Sequence, residues 1–181
     1  MQYEWYEEIN NSNEITQGDI LLGCPVAIMD KNFDLKKGQV DAEIKLIDGI
    51  ILTQACDLKN NKVNSVLICP IISKANYEEQ QKQKGLGEAK IRNALDNLKN
   101  GKKISQHIIN KYKSDTYEQD YYIVDFTNVY TIPVELARKQ AGEHNVRLRL
   151  CPPYREHLSQ AFARFFMRVG LPIDIRFEEN N

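Results

Sequence analysis

Long hydrophobic runs are missing from this chain. The longest, Ile50 to Leu52 and Val66 to Ile72, fall far short of the roughly 20 residues that a membrane-spanning helix needs. Lysine and arginine are missing between Met1 and Asp19, where Glu4, Glu7, Glu8, Glu14 and Asp19 stand. With neither a basic start nor an apolar core, that stretch does not read as a secretory signal, and a cytoplasmic protein is expected. Close cysteine pairs are missing too. Cys24, Cys56, Cys69 and Cys151 are scattered, and none forms C-x-x-C. That spacing argues against a zinc framework and reads as reduced thiols. The chain has no phosphate-binding glycine loop, no dinucleotide fingerprint and no HExxH helix. Nucleotide hydrolysis, hydride transfer and zinc peptidase chemistry therefore lack their usual residues. No metal and no cofactor is expected.

What remains is a single ordinary domain, residues 1–181, with 42% hydrophobic and 27% charged residues and a net charge of -1. The charge is unevenly spread. Against the acidic N-terminus, Arg138 to Arg168 holds seven bases and two acids, and six of the seven are arginine, whose planar fork suits carboxylate or phosphate. Two readings are open: a basic surface for an anionic partner, or two oppositely charged regions that meet inside the fold.

Residues 1–14 read as a polar arm or short helix pinned by Trp5 and Tyr6. Ile15 to Leu22 reads as a turn feeding a strand closed by Gly23-Cys24-Pro25, and Val26 to Met29 as its continuation beyond a bend. Asp30 to Gly38 reads as a loop. Gln39 to Ile47, Ile50 to Thr53 and Val66 to Ile72 have strand patterning. A helical insertion is expected over 74–115, with Ile91, Leu95 and Leu98 on one apolar face and Gly101 as a closing glycine. Its lysines read as a solvated face. Ser105 to Tyr112 is taken as a second short helix and Lys113 to Gln119 as a polar loop. Tyr121 to Asp125 and Asn128 to Ile132 read as strands, and Val134 to Lys139 as a helical turn. Val146 to Leu150 reads as a half-exposed strand with both arginines on one face. A C-terminal helix is expected over 153–170, stopped by Gly170-Leu171-Pro172, with Phe162, Phe165 and Phe166 in the core. This order favours an α+β domain built on a small antiparallel β-barrel.

Three segments carry a resemblance: Gln17-Gly18-Asp19-Ile20, Gly49 to Gln54, and Ser65 to Ser73. In this order they resemble the MazF/PemK group of toxin-type endoribonucleases over roughly the first 75 residues. The resemblance implies an SH3-like antiparallel barrel with a C-terminal helix, usually dimeric, and places Ser73 near the group's catalytic hydroxyl. The group's catalytic Arg-Pro is replaced here by Asp48-Gly49, an acid where the chemistry needs a cation. The stretch Thr53-Gln54-Ala55-Cys56-Asp57-Leu58 resembles instead uncharacterised prokaryotic proteins with a Ser/Thr-Gln-x-Cys-Asp-Leu strand end.

Two sets of candidate residues follow. Thr53, Cys56, Asp57 and Ser73 are candidates for catalysis. A Cys56 nucleophile would need one of His107, His144 or His157 nearby, with Asp57 as orienter. The plainer reading packs Cys56 as a small hydrophobe and has Asp57 cap the turn. Arg147, Arg149, Arg155, His157, Arg164 and Arg168 are candidates for holding an acidic protein or RNA. The competing reading has Arg164 and Arg168 satisfy Asp57, Asp125 or the helix end. The leading expectation is a non-catalytic binding module of a toxin–antitoxin or phage-defence type system. It expects a protein partner ahead of RNA or DNA, no membrane, and admits a homodimer. A divergent endoribonuclease is the alternative.

Overall fold

The computed structural model describes residues 3–29 and 42–167. They form a mixed α+β fold with antiparallel sheets. The strands are β1 (Tyr6–Asn10), β2 (Ile20–Met29), β3 (Ala42–Ile51), β4 (Ser65–Ser73), β5 (Gln106–Ile109), β6 (Tyr112–Lys113), β7 (Glu118–Gln119), β8 (Tyr122–Asp125), β9 (Tyr130–Pro133) and β10 (Val146–Leu150). The helices are α1 (Ala55–Lys59), α2 (Lys74–Gln83), α3 (Glu88–Lys99), α4 (Val134–Gly142) and α5 (Tyr154–Phe166). The main sheet runs β2-β3-β4-β8-β5, with β9 also on β4, while β1 pairs with β10 and β6 with β7. Among the described residues the ladder is an open path, not a closed barrel.

Strand β4 organises the sheet by changing partners. Ser65 to Ile68 pair with β9, Ile71 to Ser73 pair with β8, and Pro70 stands between them opposite Gly49. A proline has no N–H for a central ladder, and the switch point is where one is least missed. Gly49 admits close approach on the other side. A Cβ there would overlap Ile68 Cγ2 and stand 3.2 Å from the Cys69 carbonyl.

Several expectations change. The N-terminal arm is no helix: β1 pairs with all five residues of β10, from Tyr6↔Leu150 to Asn10↔Val146. Strand β2 does continue to Met29 beyond a bend, as expected, and the bend is a bulge in one strand, because Gly23 takes a φ of 64° and the register shifts between Leu21 and Cys24. Ser105 to Tyr112 is not helical either, since β5 and β6 occupy it and β5 pairs with β8. The 113–119 segment is a small hairpin. Its tip is held to β1 by Glu8, whose carboxylate accepts from Ser114, from Thr116 at 2.9 Å and from Tyr112 at 3.1 Å. Phe162 and Phe165 pack against the core, but Phe166 is 61% exposed, because the stripe outruns the surface it covers. The expected loop over 30–38, the helix stop at Gly170 and Arg168 lie outside the described residues.

The two main clusters meet across the sheet: Ile20, Ile50, Leu148 and Leu158 in one, Leu21, Ile51, Val66 and Ala137 in the other. A third, smaller cluster, Tyr77, Leu98 and Ile123, seats α2 and α3 on the sheet. That seating positions the site described next.

Candidate functional site

Several of the residues singled out from the sequence hold the fold together. Gln17 donates to the Leu52 carbonyl at 3.0 Å and to Ser159 Oγ at 2.9 Å, tying β3 to α5. Asp19 is fully buried and accepts from Arg149 Nε at 2.5 Å, Arg149 Nη2 at 3.1 Å and Arg147 Nη2 at 3.4 Å. It also accepts the Thr16 N–H at 3.1 Å. Arg147 further donates to the Ser12 and Glu14 carbonyls. Burial pulls the Arg147 guanidinium pKa down against the pull of Asp19. For Arg149, burial also works downward, but the Asp19 hydrogen bond and charge overcome it, and its pKa rises. The acidic and basic regions therefore meet here inside the fold, and Arg147, 2% exposed, is not a surface cation.

The catalytic candidates do not converge. Thr53 Oγ1 accepts the Leu67 N–H at 2.6 Å, extending the β3–β4 ladder by one rung. Ser73 caps α2 by accepting the Asn76 N–H at 3.1 Å. Leu67 and Ser73 are six residue steps apart along the strand, about 20 Å at the usual rise, so these hydroxyls sit toward opposite ends of β4. Cys56 and Asp57 lie in α1, not on a strand end. Cys56 is exposed, contrary to the packing reading, and its thiol meets Gln54 Oε1 at 3.6 Å and Asp57 Oδ1 at 3.8 Å. Neither is a group that would stabilise a thiolate. Asp57 makes no side-chain cap for α1.

The basic candidates scatter as well. Arg155 is held by Glu156 at 2.7 Å. Asp125 is satisfied by Thr127 and Asn128 in its own turn, which removes it as a partner for Arg164. Arg164 is exposed on α5. Of the described members of the set, His157 alone lines a sizeable cleft.

That cleft encloses about 950 Å3 between the helical insertion and the sheet. One wall is α3, through Ile91 and Leu95. The other is the stacked pair Trp5 and Tyr154, with ring centroids 3.6 Å apart and planes 11° from parallel. The floor is β5 and the residue after it, His107, Ile108, Ile109 and Asn110. Lys74, Lys82, Arg92 and Lys99 stand at the rim with Glu78, Glu88 and Asp96. Sequence reading found the α3 stripe and His157 but missed the floor. The signal for it was the β-branched pair Ile108-Ile109 inside the stretch read as a helix.

His107 stacks on Phe126 at 6.5 Å, and its pKa is pushed down to about 4, first by burial and then by the charge of His157. The unfolded chain binds this proton near the ordinary value of 6.5, and the folded chain only near 4. Stability at His107 is therefore complete above that window and falls as pH drops through it. Urea midpoints at pH 7 and pH 4.5 should differ less in His107→Gln than in the unaltered chain; equal differences in both would contradict the assignment.

No protein-family model matches the chain, and no curated protein matches it.

Proposed function

We propose that the chain is a binding module that takes a segment of a partner protein into the cleft between α3 and the Trp5–Tyr154 stack. The observation that carries this reading is the lining: buried and half-buried apolar side chains together with more exposed charges of both signs. Protein interfaces have that anatomy, with a desolvated apolar centre and a polar rim. A groove that tracks phosphates needs one sign of charge along its length. The arginines that would have supplied it, Arg147 and Arg149, are engaged by Asp19.

The resemblance of the first 75 or so residues to the MazF/PemK group supports a curved, SH3-like arrangement of the strands around β4. It also supports service in a toxin–antitoxin or phage-defence type system. The endoribonuclease reading has less support. Asp48, which accepts the Gly23 N–H at 2.9 Å, stands where that chemistry needs a cation, and Ser73 is occupied as a helix cap.

Trp5 is the single tryptophan of the chain and lines the cleft, so its fluorescence reports occupancy. Dodecapeptides selected from a displayed random library on the full chain should titrate that signal. Leu95→Lys should weaken them by about ten-fold or more, as loss of one well-packed anchor does, without changing the circular dichroism. Selected peptides indifferent to Leu95→Lys, or cleavage of bulk RNA by the purified chain, would contradict the reading.

A further inference from the structure

We infer that the cleft receives its partner as an extended strand added to the free edge of β5. The inference rests on the binding reading above and specifies the ligand: a segment of another protein, in β conformation, with apolar side chains at successive positions that face the two walls in turn. Strand β5 ends the sheet. Among the described residues it pairs with β8 alone, in the register Gln106↔Asp125 to Ile109↔Tyr122. Among the described residues one row of its backbone groups therefore has no strand beside it, with the Gln106 N–H at one end donating to the Lys103 carbonyl and the Asn110 carbonyl past the other accepting from Tyr6 Oη.

The cleft lies along that row. Side chains of a strand alternate between its faces, so a cleft lying over one face meets every second residue. This cleft meets His107, Ile108, Ile109 and Asn110 in succession. Ile108 belongs to the cluster under α2 and α3, whereas Ile109 belongs to the main core and His107 stacks on Phe126. Both faces are represented, and the line common to both is the edge.

The walls fit the same guest. A strand lying on β5 would sit about 4.8 Å from it and project side chains alternately to either side. One set would meet Ile91 and Leu95 of α3, the other the Trp5–Tyr154 stack. Main-chain pairing then supplies the affinity and the two apolar walls supply the sequence preference, as in other strand-addition sites. Gln106 to Ile109 contains no proline, lysine or bulge, so the protection of this edge comes only from its length of four residues and from α3 beside it.

The test uses a selected dodecapeptide that depends on Leu95, with each backbone nitrogen N-methylated in turn and binding to the full chain read by Trp5 fluorescence. Strand addition predicts a loss of about ten-fold at every second position over at least four residues, and little change between them. Losses spaced three or four apart, or none, would overturn the strand mode while leaving the binding module in place, because the peptide still binds and still needs Leu95. If no peptide depends on Leu95, the reading beneath fails first. A full chain carrying Ile173→Asp and Ile175→Asp should bind the peptide unchanged. Tightening by about ten-fold or more would make residues 168–181 of this chain the resident guest and overturn the assignment to a partner.

Discussion

Asp19→Ala should destabilise the fold by about 3–5 kcal/mol, the usual cost of removing one member of a buried ion pair. The carboxylate is completely buried and is shared by two guanidiniums, one of them 2% exposed. Its removal leaves the Arg147 charge desolvated, takes the partner from the half-buried Arg149 and frees the Thr16 N–H. Asp19→Asn should cost less, since an amide still accepts that N–H. Replacing the group as a whole, with Asp19→Leu, Arg147→Met and Arg149→Met together, should recover much of the loss, because apolar substitutes of similar volume remove the charge problem at its source. Urea denaturation of the variants measures this. A loss below about 1 kcal/mol for Asp19→Ala, the level of an exposed pair, would mean that the arginines reach water.

Gly49→Ala should cost about 2–3 kcal/mol through overpacking. The new methyl would overlap Ile68 Cγ2 and press on the Cys69 carbonyl, and both residues are fully buried. The ladder on either side, Gly49↔Pro70 and Ile50↔Cys69, leaves β3 little room to withdraw. Adding Ile68→Ala removes the obstructing group, so the double variant should lose less than the sum of the single losses. Additive losses would show that the strain lies elsewhere.

Local features were legible in the sequence, and long-range ones were not. Val66 to Ile72 and the i, i+4, i+7 spacing of Ile91, Leu95 and Leu98 carry their own periodicity, and both elements formed as expected. The positive φ of Gly101 just past α3 likewise follows from glycine's freedom at that place. In β10 the alternation placed Arg147 and Arg149 on one face, but a period of two does not say which face is inward. That was decided by Asp19, 128 residues away from Arg147. Gln106 to Ile109 failed for a related reason. Its apolar residues also suit a helical turn, and only pairing with β8 makes it a strand. The cleft was hidden altogether, because its walls and floor come from Trp5, α3, β5 and α5, which no sequence window spans.

The most direct measurement is an amide chemical-shift map of the 15N-labelled full chain with and without a selected dodecapeptide. Binding in the cleft predicts the largest shifts at His107 to Asn110, at Leu95 and at the Trp5 indole. Shifts concentrated at Thr53 to Asp57 or around Arg164, with β5 silent, would contradict it and move the site elsewhere on the molecule.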